Sequence, residues 1–161
     1  MAINPESTWL SLERSVFVFI QSVLDTGELA GKISYDDSEF DTSGLDRWVT
    51  VNVLDLGIGV TSDIQLQFTV AQRKEQDRFS ARMKQTVDLI KTAMNINAIQ
   101  IKNYGSALEG GSGEPIYLDG ELLEAAVRHT GPDGRLPDTI PGIRSYVMTY
   151  TLHLWRSDVV E

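Results

Sequence analysis

The chain has 161 residues, 42% of them hydrophobic and 23% charged, with a formal net charge of -9 and a sequence pI of about 4.6. That length and apolar share suit one domain that buries roughly 70% of the surface its unfolded chain exposes, and they exclude a chain disordered throughout. The acidic balance argues against a general nucleic-acid binder, which needs a basic footprint to displace counterions, and the lack of cysteine excludes disulfides, thiol catalysis and cysteine-ligated zinc.

The opening Met1-Ala2-Ile3-Asn4-Pro5-Glu6 places no basic stretch before an apolar run, so it does not read as a secretory signal. No apolar run approaches the roughly 20 residues of a membrane-spanning helix. A soluble, intracellular protein with no membrane partner is expected.

Asn4, Pro5 and Glu6 have the chemistry of a helix start: a capping side chain, a residue suited to the first turn, and a negative charge at the positive end of the dipole. Trp9, Leu12, Val16, Phe19, Ile20 and Val23 then recur at spacings of three and four. Leu10, Phe17 and Leu24 add a second apolar row at sevens. A helix over 5–26 is predicted, stopped at Gly27 and apolar on more than one stripe. Leu10 and Phe17 are candidates for packing between subunits.

Residues 28–47 form an acidic connection in which Asp36, Asp37, Glu39 and Asp41 crowd together, with room for a short extended piece at 32–35. The Asp/Asn spacing, glycine and later glutamate of a calcium loop are missing, so no metal is expected there.

Strands are predicted within 48–72. Val49, Val51 and Val53 alternate with Trp48, Thr50 and Asn52; after a glycine break, Ile64, Leu66, Phe68 and Val70 alternate with Gln65, Gln67 and Thr69. Such alternation marks an antiparallel sheet with one dry face. The other face is polar yet uncharged, and Gln65, Gln67 and Thr69 are candidates for a subunit contact or a channel lining.

A second helix is predicted over 74–94, with Phe79, Met83, Val87, Ile90 and Met94 on its core side. A β half follows over 98–156. It holds a strand with Ile99 and Ile101 inward, a glycine-rich loop at 105–113 that lacks the closing Lys-Ser/Thr of a phosphate loop, a short strand at 115–118, one or two helical turns at 121–128, turns at 130–142, and a long strand at 143–155. In that strand Tyr146, Met148, Tyr150, Leu152 and Leu154 share one face, and Val147, Thr149, Thr151 and His153 the other. The fold class expected is α+β: a mainly antiparallel sheet flanked by two principal helices, in a single domain over 1–161.

Nothing in the chain spells out a catalytic centre. The two histidines, His129 and His153, fall on different elements with no His-Glu-x-x-His pair, and no Gly-x-Ser-x-Gly elbow is present. No catalytic residue, cofactor or metal ligand is expected; an enzyme would need a concave site joining one histidine to a carboxylate.

This order of elements, carried by 9–24, 48–56, 64–70, 79–94, 99–104 and 146–155, resembles the tail terminator (tail completion) proteins of long-tailed bacteriophages, the lambda-type family. The resemblance covers about two thirds of the chain and is one of pattern. It implies a virion structural protein, made in the host cytoplasm, that forms a ring, usually a hexamer, at the head-proximal end of the tail. Such a ring ends polymerisation of the tail tube protein and gives the head completion or connector protein a docking surface, while DNA passes through the lumen without sequence-specific binding. On this reading Asp36, Asp37, Glu39 and Asp41 face the connector or the tube, and acidic groups lining the lumen let DNA slide. The alternatives are another head–tail connector or tail subunit, or a non-viral small binding domain.

Overall fold

The computed structural model describes residues 5–35, 40–58, 61–102, 114–115, 117–118, 121–137 and 140–155. Its elements are α1 (Pro5–Val23), β1 (Ile33–Tyr35), β2 (Arg47–Ile58), β3 (Thr61–Arg73), α2 (Ala81–Ala93), β4 (Ala98–Gln100), β5 (Tyr117–Leu118), β6 (Glu121–Leu122), β7 (Glu124–His129), β8 (Gly134–Leu136) and β9 (Ile143–Trp155). Seven strands form one sheet in the order β1-β2-β3-β9-β7-β4, with β8 also on β9; β5 and β6 make a separate pair. Only β1 on β2 is parallel. The fold is therefore α+β and its sheet mainly antiparallel.

The three long strands β2, β3 and β9 carry the architecture because their inward residues stay in phase. Val51 faces Phe68 and Phe68 faces Met148; Val53 faces Leu66 and Leu66 faces Tyr150. All six of these side chains are buried. Both helices pack on this face. Leu12, Val16, Ile20 and Leu24 of the first helical segment and Met83, Val87, Ile90 and Met94 of the second complete one core, as spacings of three and four require. The Oγ of Ser15 accepts the Lys102 backbone N–H at 2.9 Å, which ties α1 to the β4 side of the sheet.

Four expectations are corrected. The first helix ends at Val23 rather than 26, and Gly27 takes φ 56 in a separate 3-10 turn, Gly27–Leu29; Val23 is consequently exposed. The second helix starts at Ala81 rather than 74, because two 3-10 turns, Lys74–Gln76 and Arg78–Ser80, precede it. Phe79 is not a core residue: it takes φ 60 and stands 80% exposed. Residues 121–122 and 124–129 are strand, not helix; in the second strand Ala125 and Val127 are pulled into register with Ile99 and Leu152. The Asn4 cap and the glycine loop at 105–113 lie outside the described residues.

One end of the dry face is polar. Arg47, Gln72 and Arg144 are successive cross-strand partners and continue the inward phase of the core. Arg47 is 4% exposed; its guanidinium donates to Thr86 Oγ1 at 2.9 Å and to Glu28 Oε2 at 2.8 Å. Gln72 is fully buried and donates to the Asp46 carbonyl at 3.1 Å. Asp46 in turn accepts from Lys32 Nζ at 2.8 Å and Arg82 at 2.7 Å. Burial works against the Asp46 charge, but the hydrogen bonds from Lys32 and Arg82 and the fields of Lys32 and Arg47 outweigh it, holding this carboxyl below its ordinary value.

A depressed folded pKa means the unfolded chain binds the proton more readily. The stability Asp46 contributes is thus complete above the unfolded value, about 4, and is lost as pH falls through the folded value. Asp46→Asn is expected to flatten this part of the acid limb. Urea titrations of both proteins between pH 3 and 7 check it, and parallel curves would contradict it.

Candidate assembly interface

The face of the sheet turned away from the helices is set by β2, β3 and β9. Register places Gln67 between Asn52 and Thr149, Thr69 between Thr50 and Val147, and Gln65 between Leu54 and Thr151. Gln65, Gln67 and Thr69 are each partly exposed. Charge stands at the two ends of the β2 and β3 rows, and on the β9 side Arg128, exposed and across from Thr151, and Asp133, bonded to Thr149, bring further charge to the patch. At one end His153 pairs with Asp63. At the other the Arg73 guanidinium lies 5.4 Å from the Trp48 ring centroid and donates to the Leu45 carbonyl at 2.7 Å. Along β2 and β3 the middle is a field of amides, hydroxyls and aliphatic carbons in a chain whose net charge is -9.

Thr149 departs from its neighbours. It is 1% exposed although it lies on the outer phase, because the 130–133 segment folds over it. Its Oγ1 donates to the Pro132 carbonyl at 3.2 Å and its N–H to Asp133 Oδ1 at 3.1 Å. Asp133 also pairs with His129, whose ring stacks on Tyr150 with centroids 4.7 Å apart. Both histidines thus meet a carboxylate. Asp133 anchors a loop to β9, and Asp63 lies directly across the ladder from His153.

Of the nine residues singled out from the sequence, the structure brings together only Gln65, Gln67 and Thr69. Phe17 is on the helical side, edge to face with Tyr35 at 5.4 Å; burial and the charge of Asp25 push the Tyr35 phenol up to about 12. Leu10 belongs to α1, with its side chain outside the described set. Asp36, Asp37 and Glu39 are also outside it. Asp41 is exposed and accepts both the Ser43 hydroxyl and the Ser43 N–H, at 2.6 and 2.9 Å. These bonds lower its pKa and form a local turn. Among the described residues no group of three or more metal-ligating side chains occurs, and no helix is long and apolar enough to cross a membrane.

The sequence reading missed two further features. One is the polar Arg47–Gln72–Arg144 row, buried at Arg47 and Gln72 and partly exposed at Arg144, whose signal was polar residues standing in the inward phase. The other is a groove of about 850 Å³ between the end of α1 and α2, with Val23, Leu24, Leu29, Leu89 and Ala93 among its walls.

No protein-family model matches the chain, and no curated protein matches it. Solved structures do resemble it. One, whose name states no function, superposes on 88% of this chain and 94% of its own with a TM-score of 0.55 at 11% identity. That likeness defines a shared fold and carries nothing about activity.

Proposed function

We propose that this chain is a virion structural subunit that assembles into a ring, usually hexameric, on the head-proximal end of a phage tail. There it ends tube polymerisation and receives the head connector. The observation that carries this reading is the outer sheet face around Gln65, Gln67 and Thr69. Its β2 and β3 rows carry amides, hydroxyls and aliphatic carbons between the His153–Asp63 pair at one end and Arg73 against Trp48 at the other. A face left to water in so acidic a chain has no need to be cleared of charge; a face that is covered does.

The sheet edge offers a second means of joining copies. Among the described residues β1 pairs with β2 at Val49, Thr50 and Val51. Strand addition at the edge of this sheet would join one copy to the next. Acidic groups elsewhere on the subunit suit a lumen that repels DNA phosphates.

In a phage that encodes this chain, its loss is expected to give tails of uncontrolled length that fail to join heads. Tails of normal length joined to heads would contradict the proposal. A finer check is the pair Gln65→Glu and Gln67→Glu, which places like charges on the patch. Stability should move by no more than about 0.5 kcal/mol, as for exposed substitutions, while ring formation is lost in sedimentation. Rings formed as by the parent chain would remove this face from the contact.

A further inference from the structure

Two adjacent non-glycine residues, Phe79 and Ser80, sit in the left-handed region at φ 60, ψ 24 and φ 59, ψ 23. Bulky side chains rarely adopt that conformation, and it persists only where the surroundings enforce it. Here they do. The Asp77 carboxylate accepts the Arg82 N–H at 2.7 Å and the Met83 N–H at 3.4 Å, and Arg144 donates to the Asp77 carbonyl at 3.2 Å and to Ser80 Oγ at 3.0 Å. The result of this buried bracing is an aromatic ring held 80% exposed. The Arg78 guanidinium stands 5.1 Å from its centroid. Within one subunit the arrangement gains nothing, since the ring touches no core.

We infer that Phe79, with Arg78 beside it, anchors a head-to-tail contact between copies of this chain by seating in the groove between α1 and α2 of the next copy. The inference rests on the ring reading above and names the contact that builds it. The groove has the chemistry the anchor needs. Its walls are apolar, with Val23 and Leu89 each 39% exposed, and its volume of about 850 Å³ admits an aromatic ring. Glu28, already paired with Arg47, and Asp88 line it together with Lys84, so Asp88 is the carboxylate offered to the guanidinium that travels with Phe79. Burial of the pair strengthens the cation–π contact, and an aromatic seated in a dry pocket is the usual hot spot of an interface. The knob stands beside the groove, two residues before its wall residue Ala81, yet the ring is 80% exposed and is not among the groove's walls. Seated head to tail in the next copy, it makes a heterologous contact, the kind that closes into a ring when its rotation permits.

The chain has no cysteine, so the double variant Arg78→Cys, Asp88→Cys carries two thiols while it keeps the ring and the apolar walls. Mild oxidation is expected to give a ladder of disulfide-linked oligomers, and each single variant is expected to give none. Separately, Phe79→Asp should melt no lower than the parent, because its ring is exposed, yet weaken self-association at least about 30-fold. Leu89→Asp should do the same. Mixed in equal amounts, the two variants retain one intact knob and one intact groove and should form dimers that grow no further. If Phe79→Asp assembles as the parent does, the anchor is wrong and the ring reading survives. If the ladder forms but imaging shows open chains, the anchor stands and the ring reading fails. A parent chain that stays monomeric at millimolar concentration, or whose groove is filled by a small apolar compound, overturns the inference.

Discussion

Replacing Phe68 by alanine is expected to lower the unfolding free energy by about 3–5 kcal/mol, the range for a buried Phe that leaves a cavity. Phe68 is fully buried in the middle of β3. It lies between Val51 and Met148 in register and meets Tyr150 edge to face at 5.8 Å. Helices cover this point and long strands fix it from both sides, so the surroundings have little freedom to collapse into the space. A domain of this size is stable by about 5–15 kcal/mol, so the variant should unfold at a much lower urea concentration. A loss under about 1.5 kcal/mol in urea titration, with an unchanged m value, would mean that β2, β3 and β9 do not share one core.

Asp77→Ala is expected to cost about 3 kcal/mol, the lower end for removing one partner of a buried ion pair. The carboxylate is wholly buried. Its loss leaves two N–H groups of the first turn of α2 without their acceptor and Arg144, at 3.5 Å, without its counter-ion. Asp77→Asn keeps one acceptor oxygen for the Arg82 N–H and should cost about 1 kcal/mol. The two variants should also weaken self-association in the same order, since both relax the bracing that holds Phe79 outward. A loss under about 0.5 kcal/mol for Asp77→Ala, or assembly equal to that of the parent, would contradict this account.

Much of the fold was legible because its strongest signals are periodic. Alternation from Val49 to Val53, from Ile64 to Val70 and from Tyr146 to Leu152 marked the three long strands, and the inward sets are buried in the structure except Tyr146, which is partly buried. Met83, Val87, Ile90 and Met94 marked the buried side of α2 in the same way. Phe79 was misread because it falls four residues before Met83, on the helical phase. Nothing in the local sequence announces that Asp77 and Arg144, 67 positions apart, will hold the chain in a left-handed turn there. Glu121 to Arg128 read as one or two helical turns because its leucines and alanines favour helix; over 124–128, pairing with β9 and β4 overrode that preference.

The candidate interface was half legible. The amide and hydroxyl row of β3 is in the sequence, but its extension across β2 and β9 depends on register. The burial of Thr149 depends on a loop that returns from elsewhere. The groove was not legible, because it depends on how α1 and α2 sit side by side. The polar row Arg47–Gln72–Arg144 was hidden for a simpler reason: charged and amide residues at strand ends are usually solvated, and only their phase set these apart.

Negative-stain imaging of the purified protein, alone and with tail tubes, combined with its mass in solution, tests the central claim most directly. The account predicts annular particles with an open centre, whose mass is a whole multiple of 17.9 kDa, free or seated on one end of a tube. A particle of single-chain mass in both preparations, holding a small compound between its two helices, would contradict it.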